Sequence, residues 1–363
     1  MNKRTTAVAL AAMLALSLLG AACSSDDDTT EEGSGGDSDS LTVGFLFVGP
    51  KDDFGYNQAA YEGSLAVEDM EGVEVIRAEN VPETAEATEV MQSMIDEGAE
   101  LIFPTSYGHM EFAYDLAGEN PEVAFVHQGG LEPEPNLDNF GTYFGTVYEP
   151  VYTAGIAAGE ATESGKLGYV YAFPIPQTLA NINAFHLGAQ SVNPDVETIT
   201  IQTGSWCDPS LQAEAAQSLL DQEVDVITQH QDCTKTIIEA TEAAGAYSVG
   251  YHADASDLAP EGWLTGSEWD WDAMYIDIVE TVKAGEFAGS AYEGDFRVGL
   301  QTGDNPFVQS PFGSAVGEDT ISMIETTRQS FIDGGSPFAG PVSSQDGTVV
   351  YAEGSQPTYE EVE

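Results

Sequence analysis

Residues 41–58 read Leu41-Thr-Val-Gly-Phe-Leu-Phe-Val48 and then Gly49-Pro-Lys-Asp-Asp-Phe-Gly-Tyr56-Asn57-Gln58. The first eight are apolar almost without interruption and do not alternate with polar residues. A strand with that pattern is buried on both faces, which calls for a parallel sheet with helices on each side. The run breaks at Gly49-Pro50, and rings, amides and carboxylates follow at once. In open α/β sheets, ligands lie beyond the carboxyl ends of the strands, so this break is where a binding site is expected.

The same pattern recurs along the chain. Further strands are predicted at 73–78, 101–105, 123–127, 140–146, 167–173, 198–203, 224–229, 247–252 and 263–268. Between them, Thr84–Gly98 and Ser210–Glu223 place apolar residues three to four apart (Val90, Met91, Met94, Ile95; Leu211, Ala215, Leu219, Leu220), as amphipathic helices require. Alternating strands and helices give a doubly wound α/β fold. The series runs twice, from Leu41 to about Phe144 and from Leu167 to about Trp263. The small apolar segment Pro150–Gly159 between them suits a helix packed at a crossover. Two parallel-sheet lobes around a ligand cleft are therefore expected. The assignment is 41–145 plus about 264–290 for lobe 1, and 146–263 plus about 291–363 for lobe 2.

The start of the chain addresses it for export. Lys3-Arg4, an apolar run from Ala7 to Leu19 and Gly20-Ala-Ala-Cys23 form a signal segment over residues 1–22, too short to span a bilayer. The ending resembles a lipobox, which makes Cys23 the expected site of lipidation. Residues 23–40 continue with Ser, Asp, Thr, Glu and Gly alone after the cysteine, an acidic tether that cannot bury a core. A protein held by lipid at the extracytoplasmic face of the cell membrane is expected. With 42% hydrophobic residues the body is globular, and 9 basic against 62 acidic residues give a net charge of −53. That balance excludes nucleic-acid binding through phosphates, disfavours an anionic ligand, and suits a salty habitat where repulsion is screened. Of 3 Cys, Cys207 and Cys233 remain after the lipobox, and an exported pair is expected to form a disulfide. No spacing of Cys and His suggests a metal site, and no cofactor motif follows a strand.

Nearly every strand end offers a ring with an amide, imidazole or carboxylate beside it. Candidate ligand-binding residues are Tyr56, Asn57, Tyr107, His127, Trp206, Asp232, His252, Asp254, Glu268 and Trp269. Rings give flat faces for stacking, and amides and carboxylates give directional hydrogen bonds. Such a set, short of cations, suits a flat neutral heterocycle. The same residues have structural roles open to them: Asn57 and Asp53 as helix caps, His127 and His252 as core-edge histidines, and the two Trp as core. Catalysis is not expected, because the acids are scattered and no nucleophile elbow is present.

Several segments taken together resemble the basic membrane protein family of ABC-transporter substrate-binding lipoproteins, similar to the purine-nucleoside-receptor lipoproteins. They are Val43–Gln58, Asn80–Thr84, Phe103–Gly108, Pro174–Gln177 with Asn181–Phe185, Val224–Val226, Gly250–Ala253 and Leu264–Trp271. The resemblance covers Leu41 to about Gly317. It implies the type I periplasmic-binding-protein fold, a purine base or nucleoside as ligand, an ABC permease as partner, no enzymatic activity, and a monomer. By match, Tyr56 and Asn57 take the first-strand positions, Trp206 the second-lobe aromatic, and Asp254 the acid after the ninth strand. Nucleoside-binding relatives carry a Lys near the segment where this chain has Glu268-Trp269, and its loss favours a bare, adenine-like base. A sensory receptor of the same fold or a nucleoside-processing enzyme are the competing readings.

Overall fold

The computed structural model describes residues 40–130, 134–303, 305–344 and 347–362. The signal segment, Cys23 and all but the last residue of the tether lie outside them. In chain order come β1 (Leu41–Leu46), α1 (Tyr56–Glu68), β2 (Val73–Ala78), α2 (Ala85–Asp96), β3 (Leu101–Pro104), α3 (Met110–Glu119), β4 (Ala124–Gln128) and β5 (Phe140–Gly145). Helix α4 (Tyr148–Ala161) then leads to β6 (Lys166–Tyr171), α5 (Pro176–Val192), β7 (Glu197–Gln202), α6 (Pro209–Leu220), β8 (Val226–His230), α7 (Lys235–Ala243), β9 (Tyr247–His252) and β10 (Trp263–Trp269). The chain continues through α8 (Asp272–Lys283), β11 (Gly294–Val298), β12 (Phe307–Gln309), α9 (Glu318–Ile332) and a short hairpin of β13 (Val342–Ser343) and β14 (Val349–Tyr351).

Two six-stranded sheets result, in the orders β11-β5-β4-β3-β1-β2 and β12-β10-β9-β8-β6-β7. Within these two sheets every pairing is parallel except β10 with β12. The apolar runs behave as their pattern demands: β3, β4, β5 and β8 are buried at every residue. The lobe boundaries near the C-terminal end differ from the sequence expectation. Strand β10 pairs with β9 in the second sheet, whereas 264–290 was assigned to lobe 1; β11 pairs with β5 in the first sheet, whereas 291–363 was assigned to lobe 2. The chain thus crosses between lobes after β5, after β10 and after β11. The second crossing contains α8, and the third, from β11 to β12, has no helix to announce it in the sequence.

The first crossing is fixed by glycine. Helices α4 and α5 meet backbone to backbone: a Cβ on Gly155 would sit 2.2 Å from the Phe185 carbonyl oxygen, and one on Gly188 2.0 Å from that of Tyr152. No side chain fits there, so both positions must be Gly.

Candidate functional site

One cavity opens where the carboxyl ends of the two sheets face each other. Its walls are Tyr56, Ser106, Tyr107, Gly129 and Phe144 from lobe 1, and Ile175, Gln177, Trp206, His230, Asp232 and His252 from lobe 2. The wall residues lie at or next to strand ends (Phe144, His230, His252), in the segments just beyond them (Ser106, Tyr107, Gly129, Ile175, Trp206, Asp232) or at helix starts (Tyr56 in α1, Gln177 in α5). The walls bound about 390 Å³ of space not filled by atoms, part of it open to solvent. Among the described residues no Lys or Arg lines it.

Local chain geometry places the groups. Asp53 accepts from the backbone N–H groups of Gly55, Asn57 and Gln58 at 2.9, 3.1 and 2.9 Å, and so caps the first turn of α1. That turn delivers Tyr56 to the cavity and Asn57 behind it. Asn57 Oδ1 accepts from Gly49 N at 3.0 Å. Its Nδ2 donates to Asp53 Oδ2 at 2.8 Å and, across the cleft, to Asp232 Oδ2 at 3.0 Å. One amide thus bridges carboxylates of both lobes. Burial, then the nearby Asp53 carboxylate, push the Asp232 carboxyl well above its usual range, and the Asn57 bond opposes them.

Other polar ties also cross the cleft. Trp206 Nε1 donates to both oxygens of Glu83 at 3.2 Å, and Glu83 in turn accepts from Ser106 Oγ at 2.7 Å and Gly108 N at 2.8 Å. Gln177 Nε2 donates to Gly129 O at 2.8 Å, leaving Oε1 buried without a partner. Thr234 N and Oγ1 donate to the carbonyls of Asp53 and Phe54 at 3.1 and 2.7 Å. The lobes are therefore closed on each other.

The disulfide between Cys207 and Cys233 is present, with Cα atoms 5.3 Å apart. Its geometry is not the one that adjacent strands would give, because β6 lies between β7 and β8. The two loops instead meet beyond the end of β6. Asp232 N donates to Trp206 O at 2.9 Å and Gln212 Nε2 to Asp232 O at 2.7 Å, so bridge and hydrogen bonds together set two neighbouring wall residues.

Of the residues singled out from sequence, the structure brings Tyr56, Tyr107, Trp206, Asp232 and His252 into the cavity wall, with Asn57 directly behind. The others lie elsewhere. His127 is fully buried, its Nε2 on Ser106 O at 2.7 Å and its Nδ1 accepting from Gly130 N at 3.1 Å. Both ring nitrogens are used, and desolvation lowers its pKa to about 3, so it is a strut behind the wall. Trp269 is core, 5% exposed, stacked on Trp271 at 4.5 Å and against Phe144 and Phe307. Asp254 is exposed and accepts from Ser256 N at 2.9 Å, as a turn residue does. Glu268 is half-buried beside Asp254 and Ser310, off the wall. Conversely, Ser106, Gly129, Phe144, Ile175, Gln177 and His230 line the cavity and are not among the sequence candidates. Gln177 and His230 stand in strand-end segments, but Phe144 is inside β5, where an apolar run gives no sign that one ring turns to a cleft.

Two α/β lobes closed by polar ties over a ring-walled cavity define a bilobal solute-binding protein of the type I periplasmic-binding-protein fold. The chain belongs to the Bmp family, the PnrA-like ABC transporter substrate-binding proteins, whose model matches residues 40–311. It is 35% identical over 315 residues to a purine-binding protein of Brucella abortus (strain 2308), covering 85% of this chain and 86% of that one. It is 30% identical, also over 315 residues, to a Haloferax volcanii protein that carries the name of an ABC transporter glucose-binding protein, covering 84% of this chain and 78% of that one. A solved ABC transporter solute-binding protein from Aeropyrum pernix K1 shares the fold, with a TM-score of 0.71 at 20% identity, covering 84% of this chain and 94% of that one. The chain is a substrate-binding protein of an ABC transporter, with a ligand and a permease as its partners, and not an enzyme.

Proposed function

We propose that the protein captures an adenine-like purine base outside the cytoplasm and delivers it to an ABC permease, held to the cell membrane by lipid on Cys23. The observation that carries this reading is the cavity wall. Four rings (Tyr56, Tyr107, Phe144 and Trp206) surround a space with no cation and one partly free carboxyl, Asp232. Rings offer stacking faces to a planar base, and Asp232 with Gln177 Oε1 offers acceptors to its N–H groups. Burial lowers the pKa of His230 to about 3, so its imidazole is neutral and attracts no anion. The purine-binding relative points the same way, and the lack of a Lys beside Trp269 favours a bare base over a nucleoside. Among the described residues no helix is long and apolar enough to cross a membrane.

Titration calorimetry against adenine, other purine bases, nucleosides, glucose and amino acids tests the reading. Adenine or another purine base is expected to bind tightest. Binding of glucose with no response to any purine overturns it and favours the Haloferax resemblance. Mass spectrometry of the membrane-extracted protein tests the anchor: a mature N-terminus at Cys23 bearing acyl chains is expected.

A further inference from the structure

His252 ends β9 in a left-handed conformation, with φ of 80°, and turns its imidazole into the cavity wall. Its Nδ1 accepts from Trp269 Nε1 at 2.9 Å. An indole nitrogen can only donate. Nδ1 must therefore carry a lone pair, and the single proton of the neutral imidazole must sit on Nε2. Double protonation would break the bond to Trp269, and burial already disfavours the charged form. Nε2 has no hydrogen-bond partner among the described residues. The ring cannot turn to find one: Tyr56 stands edge-on to it at 5.0 Å between centroids, and Tyr251 packs against it at 3.6 Å.

His230 provides the contrast. The side chain on its Nδ1 is the Asn181 amide, at 3.2 Å, which can present either its nitrogen or its oxygen. Of the two imidazoles in the wall, His252 is the one whose proton position is dictated by its partner.

We propose that Trp269 locks His252 as a fixed hydrogen-bond donor in the cavity, and that this donor selects ligands presenting an unprotonated ring nitrogen or a carbonyl oxygen at that edge. His252 is thus a specificity-determining residue and Trp269 a positioning residue that acts through it. The proposal rests on the purine reading above and deepens it. A purine base carries ring nitrogens with lone pairs as well as N–H groups, so it can satisfy His252 and Asp232 together. An analogue with C–H in place of the recognised nitrogen covers the Nε2–H and leaves it unpaired.

The test is calorimetry with adenine and its 1-deaza, 3-deaza and 7-deaza analogues on the wild type, His252→Phe and Trp269→Phe. In the wild type one analogue is expected to bind about 10- to 100-fold more weakly than adenine, the range for orphaning a buried donor, with the other two within about threefold. In His252→Phe that gap closes to under about threefold. In Trp269→Phe it narrows several-fold without closing, because the freed imidazole populates both neutral tautomers and the ligand must select the one with the proton on Nε2. A purely packing role for Trp269 would instead weaken all four bases by one factor and keep the gap, which overturns the lock. Equal binding of all four bases by the wild type overturns the donor. Nitrogen-15 NMR of the wild type reads the tautomer directly, even if Trp269→Phe fails to fold; an Nδ1–H form of His252 refutes the proposal. Absence of binding by every purine base defeats the function reading, while the NMR result still decides the lock.

Discussion

Replacing both Cys207 and Cys233 by Ser tests how much the site depends on its covalent tie. The bridge closes a loop of 26 residues. Loop-closure arithmetic gives about 3.5 kcal/mol of stabilisation at 25 °C for that length. For one body of the size of Asp39–Glu363, the unfolding entropy is roughly 0.7 kcal/mol/K, so the midpoint should fall by about 5 °C. Affinity should fall too. Trp206 and Asp232 each precede a half-cystine, and without the bridge their relative position rests on the 2.9 Å bond from Asp232 N to Trp206 O and on Gln212. A loss of about three- to tenfold in Kd corresponds to about 1 kcal/mol of lost preorganisation. Thermal unfolding by circular dichroism and calorimetry with the cognate base read the two effects. A midpoint within 1 °C of wild type together with unchanged affinity would refute the reasoning, since neither the unfolded chain nor the wall would then depend on the bridge.

Asp232→Asn is expected to stabilise the ligand-free protein increasingly as pH rises. The folded pKa of Asp232 lies above its unfolded value, so its contribution is fully present below about pH 3.9 and is lost as pH rises through the raised value; a stability difference between variant and wild type that does not grow with pH contradicts this. Tyr56→Ala and Trp206→Ala should each weaken binding by roughly 1–3 kcal/mol with the fold intact, as loss of base stacking does, read by calorimetry beside circular dichroism. Trp269→Ala should behave differently, removing about 3–5 kcal/mol of stability as a large core truncation does, and a variant that melts like wild type would return Trp269 to the surface. Gly188→Ala should prevent normal folding, because its Cβ would lie 2.0 Å from the Tyr152 carbonyl; soluble protein with wild-type melting would show that α4 and α5 can move apart.

The central strands were legible because burial on both faces writes an apolar run, and all ten expected strands, the half-exposed edge strands β2 and β7 included, are present with shifts of a few residues at their ends. β11 and β12 escaped for the converse reason. Gly294-Asp-Phe-Arg-Val298 is an edge strand with exposed and half-buried positions, and Phe307–Gln309 is too short to show any period. The misplaced lobe boundary follows from this, since a crossover can be placed only once the strands on both sides are known. In the site, rule-based reading found the strand ends but not the direction of each side chain. Trp269 illustrates the limit: a Trp at a strand end is costly to expose, and whether it faces core or cleft depends on neighbours such as Phe144 and Phe307, which come from two other strands. Glu83 was missed although it organises three donors, because it lies in the loop before α2 and acts through Trp206 from the opposite lobe.

The acids at the lobe junction explain why a chain so short of cations can still close. Asp53 and Asp232 face each other from opposite lobes with only the Asn57 amide between them, and Glu83 stands near enough to raise the Asp232 carboxyl further. Two carboxyls at that spacing resist ionising together in a water-poor cleft, and burial pushes both above their usual range. Asn57 offsets part of this by donating both protons of one amide, one to each lobe. No Lys or Arg in the wall offsets the rest. A bound molecule that donates an N–H to Asp232 would do so, and would thereby favour the closed form over the open one by its own binding free energy. On the proposed ligand reading, Asp232 would couple occupancy to closure. A cation in its place would close the lobes whether or not a ligand were present, and a carrier that is closed when empty has nothing to signal to its permease.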